Sequence, residues 1–157
     1  MQVKDMMTLK PSYCTPYWTV EAVAALMEHA GTGAVPVVED LMNRRVVGVV
    51  TDRDLCVRTV ALGQYPAHTW VSACMTPHPA CCHPEDEVET ALQLMRQRRV
   101  RRLPVVNEQM EMQGMISISD FIRSKAIDHG AVYEAMEEIC APGVEGKKPE
   151  TPFHSAA

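Results

Sequence analysis

Two short stretches place a hydroxyl three residues before a carboxylate. They are Thr51 and Asp54 in GVVTDRDL, and Ser117 and Asp120 in GMISISDF. In both, a hydrophobic run opened by glycine ends at the hydroxyl, and an apolar helix pattern follows. A carboxylate in that position can accept hydrogen bonds from both hydroxyls of a cis-diol. The backbone N–H groups and positive end of a starting helix face an anion. A helix N-cap is the simpler reading of either Asp alone. Two copies in register, each behind a Gly-led strand, weigh against it. An acid/base pair is a third reading, and a duplicated, pseudo-symmetric pair suits binding better than catalysis. The chain shows no nucleophile-base-orienter set, no P-loop and no H-E-x-x-H.

These pairs belong to a repeat. At an offset of 68, Thr8 falls on Thr76, Cys14 on Cys82, Pro16 on Pro84 and Pro36-Val37-Val38 on Pro104-Val105-Val106. At an offset of 66, Gly48 falls on Gly114, Thr51 on Ser117 and Asp54 on Asp120. Each unit reads as an extended stretch ending in Cys-x-Pro, an amphipathic helix, two strands and a second helix starting at the Asp. In the second unit Val88, Ala91, Leu92 and Met95 form one apolar helical stripe. Asp86 is the expected N-cap, with Glu89 completing a capping box. One unit alone has a thin core, so two must pack together.

The expected architecture is therefore α/β (α+β). Two pseudo-symmetric β-α-β-β-α repeats pack sheet to sheet, with a short C-terminal helix. The boundaries are 1–65 for the first repeat, 66–128 for the second and 129–141 for the helix, leaving 142–157 as a disordered tail. Val132, Ala135, Met136 and Ile139 give that helix an apolar face in need of a partner.

Composition narrows the function classes. The 157 residues carry a net charge of −5, which argues against general nucleic-acid binding. Charge is uneven, however: RQRRVRR, from Arg96 to Arg102, holds five of the 15 basic residues and could form a local anion site. No apolar run approaches the ~20 residues of a membrane span. The N-terminus has no apolar signal core, so the expected address is cytoplasmic and the six Cys are expected to be free thiols.

The tandem unit, with its h-P-V-V followed by G-h-h-S/T-x-x-D, resembles a CBS-domain pair, or Bateman module, across residues 3 to 128. AVYEAMEEICAP further resembles the C-terminal helix of small stand-alone bacterial CBS proteins of the hypoxic-response type. The resemblance implies a regulatory, non-catalytic sensor that binds AMP, ADP, ATP or a related adenosine ligand and acts on an effector protein. It implies a homodimer, with no required cofactor and no membrane partner. It assigns the Thr51 and Ser117 hydroxyls to phosphate, and the Asp54 and Asp120 carboxylates to ribose.

VRRLPVV resembles the segment through which nucleotide-binding gamma subunits of AMP-activated kinases contact phosphate. That implies a phosphate role for Arg102 and a secondary one for Arg101. Arg96, Arg98 and Arg99 read as a solvated helix end. In the first repeat Ala34 stands in the place of Arg102, so the two clefts are expected to differ. Arg53 is a substitute or a surface charge, and Arg102 could serve Thr51 and Asp54 from across the cleft. The implied adenine pocket comprises Thr15, Val35, Pro36, His83, Leu103 and Pro104.

The alternative function is a zinc- or redox-responsive protein on the same scaffold, since thiolates and imidazoles suit Zn²⁺. Its candidate ligands are Cys14, Cys82, His129 and Cys140. No C-x-x-C is present, and buried inert thiols are the simpler reading.

Overall fold

The structure, a computed structural model, describes residues 1–124 and 127–142. The first long helix, α1 (Val20–Ala30), starts at Thr19, whose side chain accepts the Ala22 N–H at 3.2 Å. It stops at Gly31, in the left-handed region at φ 60°. Its counterpart α3 (Val88–Arg98) buries Val88, Ala91, Leu92 and Met95, as their spacing predicts.

The start of α3 differs from expectation. Glu87 is its N-cap, and no side chain caps it. The Asp86 carboxylate instead accepts the His83 N–H at 2.7 Å. The Val88 N–H is satisfied by the Met1 carbonyl at 3.0 Å, because the N-terminal arm lies against the helix start. At α1 the Thr69 carbonyl does the same for Val20, at 2.9 Å.

Two hairpins follow the helices. Strand β2 (Ala34–Val38) pairs antiparallel with β3 (Val46–Thr51), and β5 (Arg102–Val106) with β6 (Met112–Ser117). Ala34 lies opposite Thr51 and Arg102 opposite Ser117, with a register shift between Val37 and Val38 in one hairpin and Val105 and Val106 in the other. The duplication in the sequence is thus reproduced residue by residue. Helices α2 (Asp52–Arg58) and α4 (Ile118–Arg123) leave directly from β3 and β6.

The third strand of each sheet comes from the other repeat. β1 (Thr8–Leu9) joins β6, and β4 (Thr76–Pro77) joins β3. Val3 accordingly lies in the core of the second repeat, and Val71 in that of the first. Gly114 permits the close approach: a Cβ there would lie 2.8 Å from the Thr8 carbonyl oxygen and 2.8 Å from the Met7 sulfur.

Between the sheets, Val38, Val46, Val106 and Met112 form a third apolar cluster. The hairpin ends are tied by Val46 N–H to the Met110 carbonyl at 2.9 Å, and Met112 N–H to the Arg44 carbonyl at 3.0 Å. Helix α5 (His129–Cys140) packs on α3 and α4, burying Val132 and Ala135, and Arg96 pairs with Glu138. The apolar face that needed a partner finds it within the chain. The expected disordered tail falls, from 143 onward, outside the described residues.

All six thiols are free. Cys14 and Cys82 sit in separate cores, where burial pushes each thiol up to about 12. Burial likewise raises Cys81 to about 11 and Cys74 upward. A thiol held protonated in the fold but free to ionise from 9.0 in the unfolded chain favours folding at neutral pH. That contribution is lost as pH rises from about 9 towards 12, because the unfolded chain releases its protons first.

Thiol labelling of the folded protein at about pH 8 should modify exposed Cys56 and Cys140 first, and Cys14 and Cys82 only on unfolding. Peptide mapping with equal labelling at all four positions would refute this burial pattern. Gly114→Ala should cost about 1–3 kcal/mol in urea unfolding, because its methyl meets the Thr8 backbone carbonyl as well as the movable Met7 side chain. An unchanged midpoint would show that β1 does not dock on β6 this closely.

Candidate functional site

Each hydroxyl-carboxylate pair forms a reciprocal cap at a strand-to-helix junction. Thr51 is the N-cap of α2 and Asp54 its third helical residue. The Thr51 N–H and hydroxyl both donate to Asp54 Oδ2, at 2.9 and 2.8 Å, and the Asp54 N–H donates to Thr51 Oγ1 at 3.1 Å. At α4 the Ser117 N–H and hydroxyl donate to Asp120 Oδ2, at 2.7 and 2.6 Å. The helices therefore begin just after the hydroxyl residue, not at the Asp. The N-cap is Thr or Ser because a short β-carbon oxygen reaches the third N–H of the helix.

The caps leave each carboxylate fixed by one oxygen. Asp54 Oδ1 lies 3.5 Å from Arg58 Nε, and Asp120 Oδ1 accepts from Arg123 at 2.6 Å. The carboxylates are largely buried, with side chains 15% and 8% exposed, whereas Arg58 and Arg123 are 48% and 71% exposed. Such exposed pairs contribute little, though Arg58 also donates to the Cys74 and Met75 carbonyls, at 3.1 Å each. Each hydroxyl's single proton is committed to Asp, so donation to a phosphate requires it to rotate.

The two junctions open on equivalent clefts. Thr51 and Asp54 border one of about 280 Å³, whose other walls are His78–Ala80, the end of α3 at Arg98, and Arg102 with Pro104. Ser117 and Asp120 border one of about 420 Å³, walled by Lys10–Ser12, the end of α1, and Ala34 with Arg102. The wall opposite each junction comes from the other repeat, a consequence of the exchanged strands. Arg102 reaches both clefts. Arg53 and Arg101 lie instead in an adjoining cavity of about 370 Å³ that shares Thr51 and Arg102 with the first cleft.

Of the residues expected around adenine, Pro104 borders the first cleft. Val35 and Leu103 have no exposed surface and point into the two cores, since alternate strand residues face opposite ways. Pro36 is buried within β2. Thr15 lies in the turn before α1, where its carbonyl accepts the Trp18 N–H. His83 sits at the corresponding turn, with Nδ1 3.0 Å from the Val106 carbonyl.

Sequence reasoning passed over Lys10 and His78, which border the Ser117 and Thr51 clefts at equivalent positions. Both adopt φ 50°, uncommon for residues other than glycine. The offset of 68 relates them and was the available signal.

The metal candidates are dispersed. Cys14 and Cys82 occupy different cores, His129 caps toward the Ser124 carbonyl at 3.2 Å, and Cys140 ends α5. Among the described residues no group of three His, Cys, Asp or Glu side chains could hold a metal ion. Among the same residues no helix is long and apolar enough to cross a membrane.

The fold and motifs match known proteins. The family model described as CBS domain matches residues 3–58 and 71–126. The CBS domain-containing protein YhcV of Bacillus subtilis is 37% identical over 118 residues, spanning 75% of this chain and 81% of its own. The crystal structure of Hypoxic Response Protein I, with two coordinated zinc ions, superposes at a TM-score of 0.71. It covers 78% of this chain and 98% of its own at 24% identity, a likeness of fold. The crystal structure of CBSX2 in complex with AMP superposes at 0.68 with 27% identity, covering 78% of this chain and 93% of its own. With two family matches over the two halves of a pseudo-symmetric pair, the chain belongs to the CBS-domain family as a tandem CBS pair.

Proposed function

We propose that this protein is a non-catalytic regulatory sensor whose clefts bind an adenosine nucleotide. The observation that carries the reading is the pair of capped, largely buried carboxylates, each opening on a cleft bordered by Arg102. A ribose diol can donate to Asp54 or Asp120 Oδ1, taking the place of exposed Arg58 or Arg123. The carboxylate needs no reorientation, because the cap already holds Oδ2. Phosphate then lies toward the helix start, within reach of the Thr51 or Ser117 hydroxyl and the Arg102 guanidinium. The likeness to CBSX2, solved with AMP, supports the same ligand class.

Bound nucleotide touches both repeats, since each cleft is walled by both. Ligand therefore favours whichever arrangement of the repeats closes those walls, by no more than its differential affinity. In this reading the sensor works as a homodimer in the cytoplasm and signals to an effector protein.

Calorimetric titration with AMP, ADP and ATP is the test. Asp120→Ala should weaken binding at its cleft about tenfold or more, the loss expected for a charge-assisted hydrogen bond. A thermal melt of the same variant separates this from the loss of the cap. No heat with any adenosine ligand up to millimolar concentration would overturn the function.

A further inference from the structure

Both clefts carry basic residues, Lys10, Arg102 and Arg123 at one and Arg98 and Arg102 at the other, and the repeats differ in the cavity beside Thr51. The cavity adjoining the Thr51 cleft is lined by Arg53, Arg99, Arg101 and Arg102. At the pseudo-symmetric positions of the other repeat stand Ser119, Gly31, Gly33 and Ala34. Every arginine of this cavity thus has a small, uncharged counterpart. Among the described residues, none of the four guanidinium groups has a hydrogen bond or ion pair. One carboxylate, Asp52, borders the same space.

Backbone geometry explains how one of these arginines comes to differ from its counterpart. Arg99 lies at φ 52° as the C-cap of α3, where Gly31 lies at φ 60° as the C-cap of α1. The same helix-ending conformation thus carries a guanidinium in one repeat and no side chain in the other. Four like charges gathered around about 370 Å³ in a chain of net charge −5 raise the local potential for anions.

Resting on the nucleotide reading above, we infer that this cavity receives the terminal phosphates of a nucleoside di- or triphosphate seated at Thr51 and Asp54. The cavity shares Val49, Thr51, Val100 and Arg102 with the Thr51 cleft, so the two spaces adjoin and a phosphate chain seated at Thr51 can extend toward the arginines. The last turn of α5, through Ile139 and Cys140, forms the far wall. The cavity adjoining Ser117 is lined by Arg101 and Arg102 but by neither Arg53 nor Arg99, so a phosphate chain seated there meets fewer guanidinium groups. The first cleft is therefore the one that distinguishes ADP and ATP from AMP.

The test is calorimetric titration of the full chain with adenosine, AMP, ATP and inorganic tripolyphosphate in magnesium-free buffer. ATP should bind at least about tenfold more tightly than AMP, as expected when further phosphate oxygens meet guanidinium groups. Tripolyphosphate alone should bind. The double variant Arg99→Gly/Arg101→Gly, which installs the other repeat's own residues, should bring ATP to within about twofold of AMP and leave adenosine unchanged. Equal wild-type affinities for AMP and ATP would overturn the inference while leaving the nucleotide reading intact. A double variant that keeps the ATP preference would also overturn it. Tripolyphosphate binding without any adenosine ligand would overturn the nucleotide reading and keep the anion cavity. No binding by any of the four would overturn both.

Discussion

Each sheet is completed by a strand from the opposite repeat, and the rest of the molecule follows from that exchange. β1 docks on β6 over Gly114, and β4 docks on β3 over Gly48. The residues just beyond each exchanged strand, Lys10–Ser12 and His78–Ala80, are thereby carried to the mouth of the other repeat's strand-to-helix junction. Neither cleft could exist within one repeat alone. Neither core is complete alone either, since Val3 and Val71 each fill the partner's. Any ligand seated in a cleft would therefore touch both repeats.

The caps at Thr51–Asp54 and Ser117–Asp120 reconcile two readings that the motif alone left open. A helix cap and the proposed ligand site would use different oxygens of the same carboxylate. Oδ2 closes the cap, which fixes the side-chain rotamer, and Oδ1 faces an arginine 48% or 71% exposed. Preorganisation of this kind lowers the ordering cost of binding. The cap is thus compatible with the proposed site.

Asymmetry was built onto this symmetric frame by side chains rather than by backbone. The hairpin registers, the bulges and the left-handed positions agree between repeats. What differs is charge, with arginines on one side and glycine, alanine and serine on the other. A backbone held in common keeps both junctions geometrically competent. In the proposed function, the substitutions would set which anion each prefers, because Coulomb attraction in a partly enclosed cavity is sensitive to each added guanidinium.

The sequence by itself determined the elements, the duplication and the hydroxyl-carboxylate pairs. Periodicity of Val88, Ala91, Leu92 and Met95, the Gly-led strands and the fixed offsets are local properties of the chain, readable without a fold. The tertiary structure decided what they face. Val35 and Leu103 read as adenine contacts because any apolar strand residue could be one, and only packing shows that they point inward. Asp86 read as a cap because the Met1 carbonyl that replaces it is distant in sequence. Arg99 read as a solvated helix end, and Arg53 as either a phosphate contact or a surface charge, because nothing local shows that they meet around one cavity. Contacts between residues far apart in the chain depend on strand exchange and repeat packing, which composition and spacing do not encode position by position.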